Sequence, residues 1–256
     1  SSGARSGVPS RIRVNAFLAR RGVASRRRAD ELIAAGLVEV NGAVTSLGAL
    51  VDPQTDRVTV AGAPVGLAHA TQVLALNKPR GVISTVLDER HRRTVMDLVP
   101  ALEGLVPVGR LDADTHGLLL LTSDGELAHR LTHPRYGVRK RYQATVTPPL
   151  KSSELKRLIE GVELEDGPAR ALSATVLRRV SGGQVIEVEM VEGRKREVRR
   201  LFRALGAEVV DLTRTRVGPI ALAGLPEGRW RELAGDELQL LYAAAGLPPP
   251  SGVGMP

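Results

Sequence analysis

The feature of this sequence that most restricts its fold is the placement of its strand-length apolar runs. VLALN (73–77), GVISTV (81–86), GLLLLT (117–122), YQATVT (142–147), ATVLRRV (174–180) and QVIEVEMV (184–191) are aliphatic and β-branched and read as strands. Helical stretches fall among them irregularly: SELKRLIEG (153–161), REVRRLFRALG (196–206) and GDELQLLYAAAG (235–246). Neighbouring parallel strands need a crossover of a dozen or more residues, usually a helix, so a doubly wound parallel sheet would show regular strand–helix alternation. Here Ser181-Gly182-Gly183 instead joins two strands directly as a hairpin. The pattern predicts an α+β protein whose larger part is a mostly antiparallel mixed sheet with flanking helices.

A smaller unit precedes it. Val14, Phe17 and Leu18 recur at helical spacing and Gly22 can close that helix. Ser25 is a good N-cap for a second helix, SRRRADELIAAG, which Gly36 ends. LVEVNGAVT then alternates around Asn41-Gly42, a tight-turn dipeptide, and DRVTVAG supplies a last strand. The expected organisation is a tail at 1–10, an RNA-binding unit at 11–65, a linker at 66–72, a catalytic unit at 73–247 and a second tail at 248–256.

Charge decides what class of partner to expect. Lys and Arg total 36 against 28 acids, a net charge of +8 with a pI near 10.5. Arginine bonds phosphate bidentately, so the excess points to a polyanion. Arg11, Arg13, Arg20, Arg21, Arg26, Arg27 and Arg28 precede the first acid, Asp30, and together can neutralise several phosphates. "RVNAFLARRGVASRRRADELIAAGLVEVNG" (13–42) resembles the S4 RNA-binding domain, which implies contact with structured RNA through shape and phosphates.

Composition also excludes chemistries. Without cysteine there is no disulfide, thiolate metal site or cysteine nucleophile. No apolar stretch reaches 18 residues and no signal peptide is legible, so a cytoplasmic location away from membranes is expected. Aromatics make up 2% of the chain, too few for a base-stacking platform. No glycine-rich phosphate loop occurs, and His129 and His133 lack a third ligand, so no metal and no cofactor is expected.

The stretch PVGRLDADTHGLLLLTSDGELAH sets Asp112 and Asp114 between an apolar approach and a buried-looking strand, where loops carry catalytic groups. Either carboxylate could act on substrate, or both could shape an Asx-turn. "GRLDADTHGLLLLTSDG" resembles the signature of the RsuA/RluB family of ribosomal RNA pseudouridine synthases. "NKPRGVIST" (77–85), the tyrosine of "RKRYQATV" and "EGRKREVRRLF" (192–202) resemble three further motifs in the family's order. The resemblance spans roughly residues 11 to 240. It implies that Asp112 is catalytic, that Arg199 pairs with it, and that Tyr142 is the active-site tyrosine.

It further implies isomerisation of a uridine in folded ribosomal RNA, in the large (23S) subunit rather than the small (16S) one; a monomer is the default expectation. A non-catalytic S4-type ribosome-associated protein is the alternative from another class. Besides the seven N-terminal arginines, Lys78, Arg110, Arg139, Lys140, Arg141, Arg194, Lys195 and Arg196 are expected to contact RNA. His116 and Lys195 depart from the family's usual residues, which bears on substrate preference. Isomerisation adds and removes no atoms, so turnover on a short unstructured RNA is expected to survive EDTA and to need no nucleotide. Loss of pseudouridine formation after chelation of that substrate mixture would contradict the expectation.

Overall fold

The computed structural model describes residues 11–53, 55–65 and 71–250, in two compact units. The tails expected at 1–10 and 248–256 and the linker at 66–72 lie outside the described residues, save 71–72 and 248–250. The first unit runs through Thr71 and takes in Glu103–Leu105 and Ser123–Glu126; the second is the remainder.

In the first unit, α1 (Val14–Arg20) and α2 (Arg26–Ala34) pack through Val14, Phe17, Leu18, Ala29 and Ile33. Ser25 caps α2 as its chemistry demands, its hydroxyl accepting from the Arg28 N–H at 3.2 Å. The helices share a core with β1 (Val38–Val40) and β3 (Val58–Val60), which with β2 (Ala43–Val44) and β4 (Ala63–Pro64) form an antiparallel sheet in the order β2-β1-β3-β4. Asn41 and Gly42 join β1 to β2 with φ of +54° and +82°, the backbone a two-residue hairpin requires.

The second unit is built on β5 (Val73–Lys78), β6 (His116–Thr122), β7 (Lys140–Thr147), β8 (Ser173–Val180), β9 (Gly183–Met190), β10 (Glu208–Val217) and β11 (Trp230–Glu232). Their order is β8-β9-β7-β10-β6-β5-β11, with short strands Val106–Pro107 beside β6 and Ile220–Ala221 beside β10. Every pairing is antiparallel except β10 with β6, so the mixed, mainly antiparallel sheet of an α+β protein is what forms. Helices α3 (Gly125–Thr132) and α6 (Gly235–Ala244) contribute Leu127, Leu131, Leu238 and Leu241 to a core with Val73, Ala75, Leu118 and Leu120. Between β7 and β8 lies α4 (Ser152–Glu160), and α5 (Glu197–Ala204) buries Val198, Leu201 and Phe202. No helix among the described residues is long and apolar enough to cross a membrane.

One sequence expectation is corrected, and one strand went unread. GVISTV is not a strand: Gly81 takes φ +81° and only an isolated bridge, Ile83 to Thr94, forms there. The central strand β10 escaped notice because its alternation carries a buried arginine, Arg214, and its pairing with β7 shifts register twice.

The parallel β6–β10 contact depends on one glycine. A Cβ on Gly117 would stand 2.3 Å from the Arg214 carbonyl oxygen, and its φ is +105°. Both steric overlap and backbone strain therefore oppose any side chain. Gly117→Ala should cost roughly 3 kcal/mol or more in the unfolding of this unit. Trp230, the sole tryptophan, reports that transition by fluorescence; an unchanged denaturation midpoint would refute the close-approach argument.

Candidate active site

Backbone hydrogen bonds set the Asp112 loop before any side chain is considered. Thr115 N donates to Asp112 O at 3.0 Å, closing a turn over 112–115. The segment after β5 grips this turn at alternate residues. Ser84 Oγ donates to Leu111 O at 2.9 Å and accepts from Leu111 N at 3.1 Å, while Gly81 N donates to Ala113 O at 2.7 Å. Lys78 Nζ donates to Thr115 O at 2.8 Å and to Pro79 O at 2.9 Å. Residues 111, 113 and 115 are thus held by the main chain, and the intervening carboxylates of Asp112 and Asp114 are left at the surface of the loop.

The two carboxylates have different surroundings. Asp114 receives both Nη atoms of Arg196 at 2.9 Å, and Arg199 Nη2 lies 3.5 Å from its Oδ2. The Arg196 hydrogen bonds hold its carboxyl below the usual range. The Asp112 carboxylate accepts no hydrogen bond among the described residues. Its nearest cation is Arg196 Nη1 at 4.0 Å, and its side chain is 33% exposed, enough to meet a ligand.

Asp112 lines a cavity of about 340 Å³ together with Arg110, Leu111, Thr115 and the segment 192–198, with Tyr142, Met190 and Leu212 contributing from the sheet. Tyr142 is 8% exposed, stands on β7 opposite Val188 and Arg214, and its hydroxyl has no partner among the described residues. Glu197 is buried, and burial pushes its carboxyl up. It accepts from Arg194 N and Nε at 3.1 and 3.2 Å, closing the 194–197 wall.

The structure redistributes the expected site residues. Arg199 does not reach Asp112: it donates to Val209 O and Asp114 O, both at 2.9 Å, and so anchors the loop through the neighbouring aspartate. Lys78 cannot meet RNA, being wholly buried, and Lys140 is also buried, donating to Val191 O at 3.2 Å. Arg194 is spent on Asp166, Glu192, Glu197 and Pro168 O. Arg139 pairs with Glu189, and Arg141 with Glu187 and Glu189, across the β7–β9 ladder.

In the first unit Arg21 lies over the Phe17 ring and donates to Pro53 O, Arg26 pairs with Glu126, and Arg28 with Glu31. Arg20 is half-buried. Arg11, Arg13, Arg27, Arg110 and Lys195 are exposed and have no ion pair among the described residues.

Three contributors went unread in the sequence. Ser84 positions Leu111, buried Arg214 donates Nε to Leu118 O at 2.8 Å, and Glu197 holds Arg194. The departure at His116 also has a partner: its Nε2 lies 2.9 Å from Asp211 Oδ1 and 3.0 Å from Thr213 Oγ1, and Arg80 pairs with the same aspartate. Only the alternation TRTRV hinted at Arg214.

A basic chain with a carboxylate-lined cavity on a mixed sheet, behind a small helix-and-sheet unit, has the makings of an RNA-modifying enzyme. The RNA pseudouridylate synthase family model matches residues 72–204, and the S4 domain model residues 12–62. An uncharacterized RNA pseudouridine synthase of Mycobacterium tuberculosis is 46% identical over 244 residues, covering 93% of this chain and 96% of that protein. Ribosomal large subunit pseudouridine synthase B of Bacillus subtilis is 42% identical over 237 residues, covering 91% and 96%. A crystal structure of a pseudouridylate synthase superposes with a TM-score of 0.62 at 29% identity, covering 90% of this chain and 99% of that one. The chain belongs to the RNA pseudouridylate synthase family, in its RsuA/RluB branch, and is an isomerase.

Burial pulls Lys78 and Lys140 down to about 8 from the ordinary 10.5. A folded value below the unfolded one means that the unfolded chain binds more protons between pH 8 and 10.5. Stability contributed by these groups therefore rises through that window, and the cost of their burial is full below it. Between pH 7.5 and 10, wild type should gain stability relative to Lys78→Met, on the order of 1–3 kcal/mol. Parallel pH profiles of urea unfolding for the two proteins would contradict the lowering of Lys78 by burial.

Proposed function

We propose that this chain isomerises one uridine of folded large-subunit ribosomal RNA to pseudouridine, as a cytoplasmic monomer, with Asp112 acting at C1′ of the target nucleotide. The observation that carries the assignment is the unequal treatment of two carboxylates in one loop. Asp114 is saturated by Arg196, whereas Asp112 opens into the cavity with its oxygens unoccupied. Isomerisation breaks the N1–C1′ bond, turns the uracil, and joins C5 to C1′, after which the C5 proton is lost and N1 gains one. An ionised carboxylate meets the positive charge that develops at C1′, by attack or by electrostatic stabilisation. Arg196, at 4.0 Å, stands beside that carboxylate without covering it.

The target base must leave its stack to enter the cavity. Tyr142 offers its ring to the uracil and its free hydroxyl to the proton at C5. Arg110 and Lys195, both lining the cavity and without an ion pair among the described residues, would hold the flanking phosphates, and Arg11, Arg13 and Arg27 would dock the more distant RNA. The large-subunit assignment is supported by relatives named for that subunit, in Bacillus subtilis and in Pseudomonas aeruginosa at 40% identity.

The test is complementation of cells lacking the protein, with pseudouridine mapped across both ribosomal RNAs. Asp112→Asn keeps the shape of the side chain but neither attacks C1′ nor carries charge, so modification should fall by at least ~10³-fold with rRNA affinity retained. Asp114→Asn weakens a loop anchor and should retain measurable turnover. Activity of Asp112→Asn would refute the assignment, and a restored site in small-subunit RNA would refute the substrate.

A further inference from the structure

Arg196 is a strained point in the cavity wall. It stands at the N-cap of α5 with φ +52° and ψ +28°, a left-handed backbone that few residues other than glycine adopt. From there its guanidinium reaches Asp114 through both Nη atoms at 2.9 Å and lies 4.0 Å from Asp112. Backbone of this kind persists only where neighbouring structure holds it, so the bonds on either side of Arg196 decide where its side chain goes.

Those bonds converge on a hairpin that the proposed chemistry leaves unused. Val162–Leu164 pairs with Gly167–Ala169, packs against α5, and contributes no residue to the cavity. At the turn, the Asp166 carboxylate accepts from Arg200 Nη1 and Nη2 at 2.7 and 3.0 Å and from Arg194 Nη1 at 3.1 Å. Arg194 donates further to Asp166 O, Gly167 O and Pro168 O at 3.3, 3.4 and 2.6 Å. Arg200 N in turn donates to Arg196 O at 3.0 Å. One carboxylate thus ties the residue two before Arg196 to the residue four after it. The Arg200 bonds hold that carboxyl below the usual range, so the tie stays charged around neutral pH.

Asp166 is 46% exposed, and an exposed ion pair ordinarily adds little to stability. Its geometry argues for a different use. Two arginines, one of them bidentate, bracket the strained residue, whereas Glu197 braces the Arg194 side alone. We propose that Asp166 is a positioning residue for the reaction: it braces the turn that keeps Arg196 on Asp114 and off Asp112. Released from that turn, the guanidinium is free to close on the Asp112 oxygens 4.0 Å away and occupy the lone pairs that C1′ must meet. The inference rests on the Asp112 chemistry proposed above and adds to it a residue outside the cavity that acts only through Arg196.

The experiment uses the full chain and an rRNA fragment carrying the mapped uridine. Asp166→Ala should lower kcat at least ~10-fold while KM changes less than about threefold, because the cations proposed for phosphate are untouched. Asp166→Glu, which keeps the charge, should recover most of that loss. Asp166→Asn, nearly isosteric, guards against misfolding and should lower kcat in the same direction. In an Arg196→Gln background, adding Asp166→Ala should change kcat by less than about twofold, because its effect passes through Arg196. With isotope-labelled aspartate, the Asp114 carboxyl should titrate higher by NMR in Asp166→Ala than in wild type, since the Arg196 hydrogen bonds that hold it down are weakened.

An equal fall in kcat with and without Arg196 would give Asp166 a merely structural role, and an unchanged kcat and Asp114 titration would remove it from the site; either result overturns the proposal. The titration needs neither RNA nor turnover. An inactive wild type whose Asp114 titration still depends on Asp166 would therefore count against the catalytic reading and leave the positioning of Arg196 standing.

Discussion

One buried ammonium group holds the geometry on which the site depends. Lys78 ends β5 with no exposed surface, and its Nζ is shared between Pro79 O and Thr115 O. Burying a charge is costly unless it is hydrogen-bonded and compensated. Here the carbonyls supply hydrogen bonds, and the nearby charges of Asp112 and Asp114 favour the protonated form against burial and the repulsion of Arg214. The arrangement works in both directions. The ammonium needs the loop above it to be folded and negatively charged, and the loop needs the ammonium to fix Thr115. With Gly81 on Ala113 and Ser84 on Leu111, the main chain is clamped at every second residue, so the two aspartates between the clamps can only point away.

The same economy governs the arginines. A net charge of +8 suggests a surface of cations waiting for phosphate, yet in the larger unit much of that charge is structural. Arg194, Arg196, Arg199 and Arg200 each donate to a carboxylate or carbonyl that fixes one cavity wall or the Asp112 loop. A planar guanidinium with five donors can tie several acceptors together, which a lysine cannot. Cations without an ion pair among the described residues, such as Arg110, Lys195 and Arg27, are fewer than the composition implies, and these are the ones we propose for phosphate contacts.

Much of this could be read from the residues, and the failures have physical causes. The capped helix after Ser25, the Asn41-Gly42 hairpin and the apolar run after Gly117 were legible because local chemistry alone determines them. GVISTV has strand composition, but its Gly81 and Ser84 are taken by the Asp112 loop, so tertiary bonding overrides propensity. Lys78 and Lys140 read as surface cations because lysine is almost never fully buried. Strand β10 hid behind Arg214, whose burial depends on an acceptor, Leu118 O, far away in sequence. Distances between remote segments are what a linear reading lacks.

The sharpest case is the choice between Asp112 and Asp114, two residues apart and alike in sequence. Family resemblance favoured Asp112 with Arg199 as its ion-pair partner, whereas the guanidinium groups gather on Asp114. That displacement is chemically useful. A bidentate arginine on Asp112 would occupy the lone pairs an acting carboxylate must present to C1′ and would lower its basicity. With Asp114 taking both hydrogen bonds, Arg196 is fixed 4.0 Å from Asp112 and leaves that carboxylate without a hydrogen bond beside the cavity. In the mechanism we propose, the second aspartate thus holds one arginine beside the first without covering it, which gives the loop a use for two carboxylates.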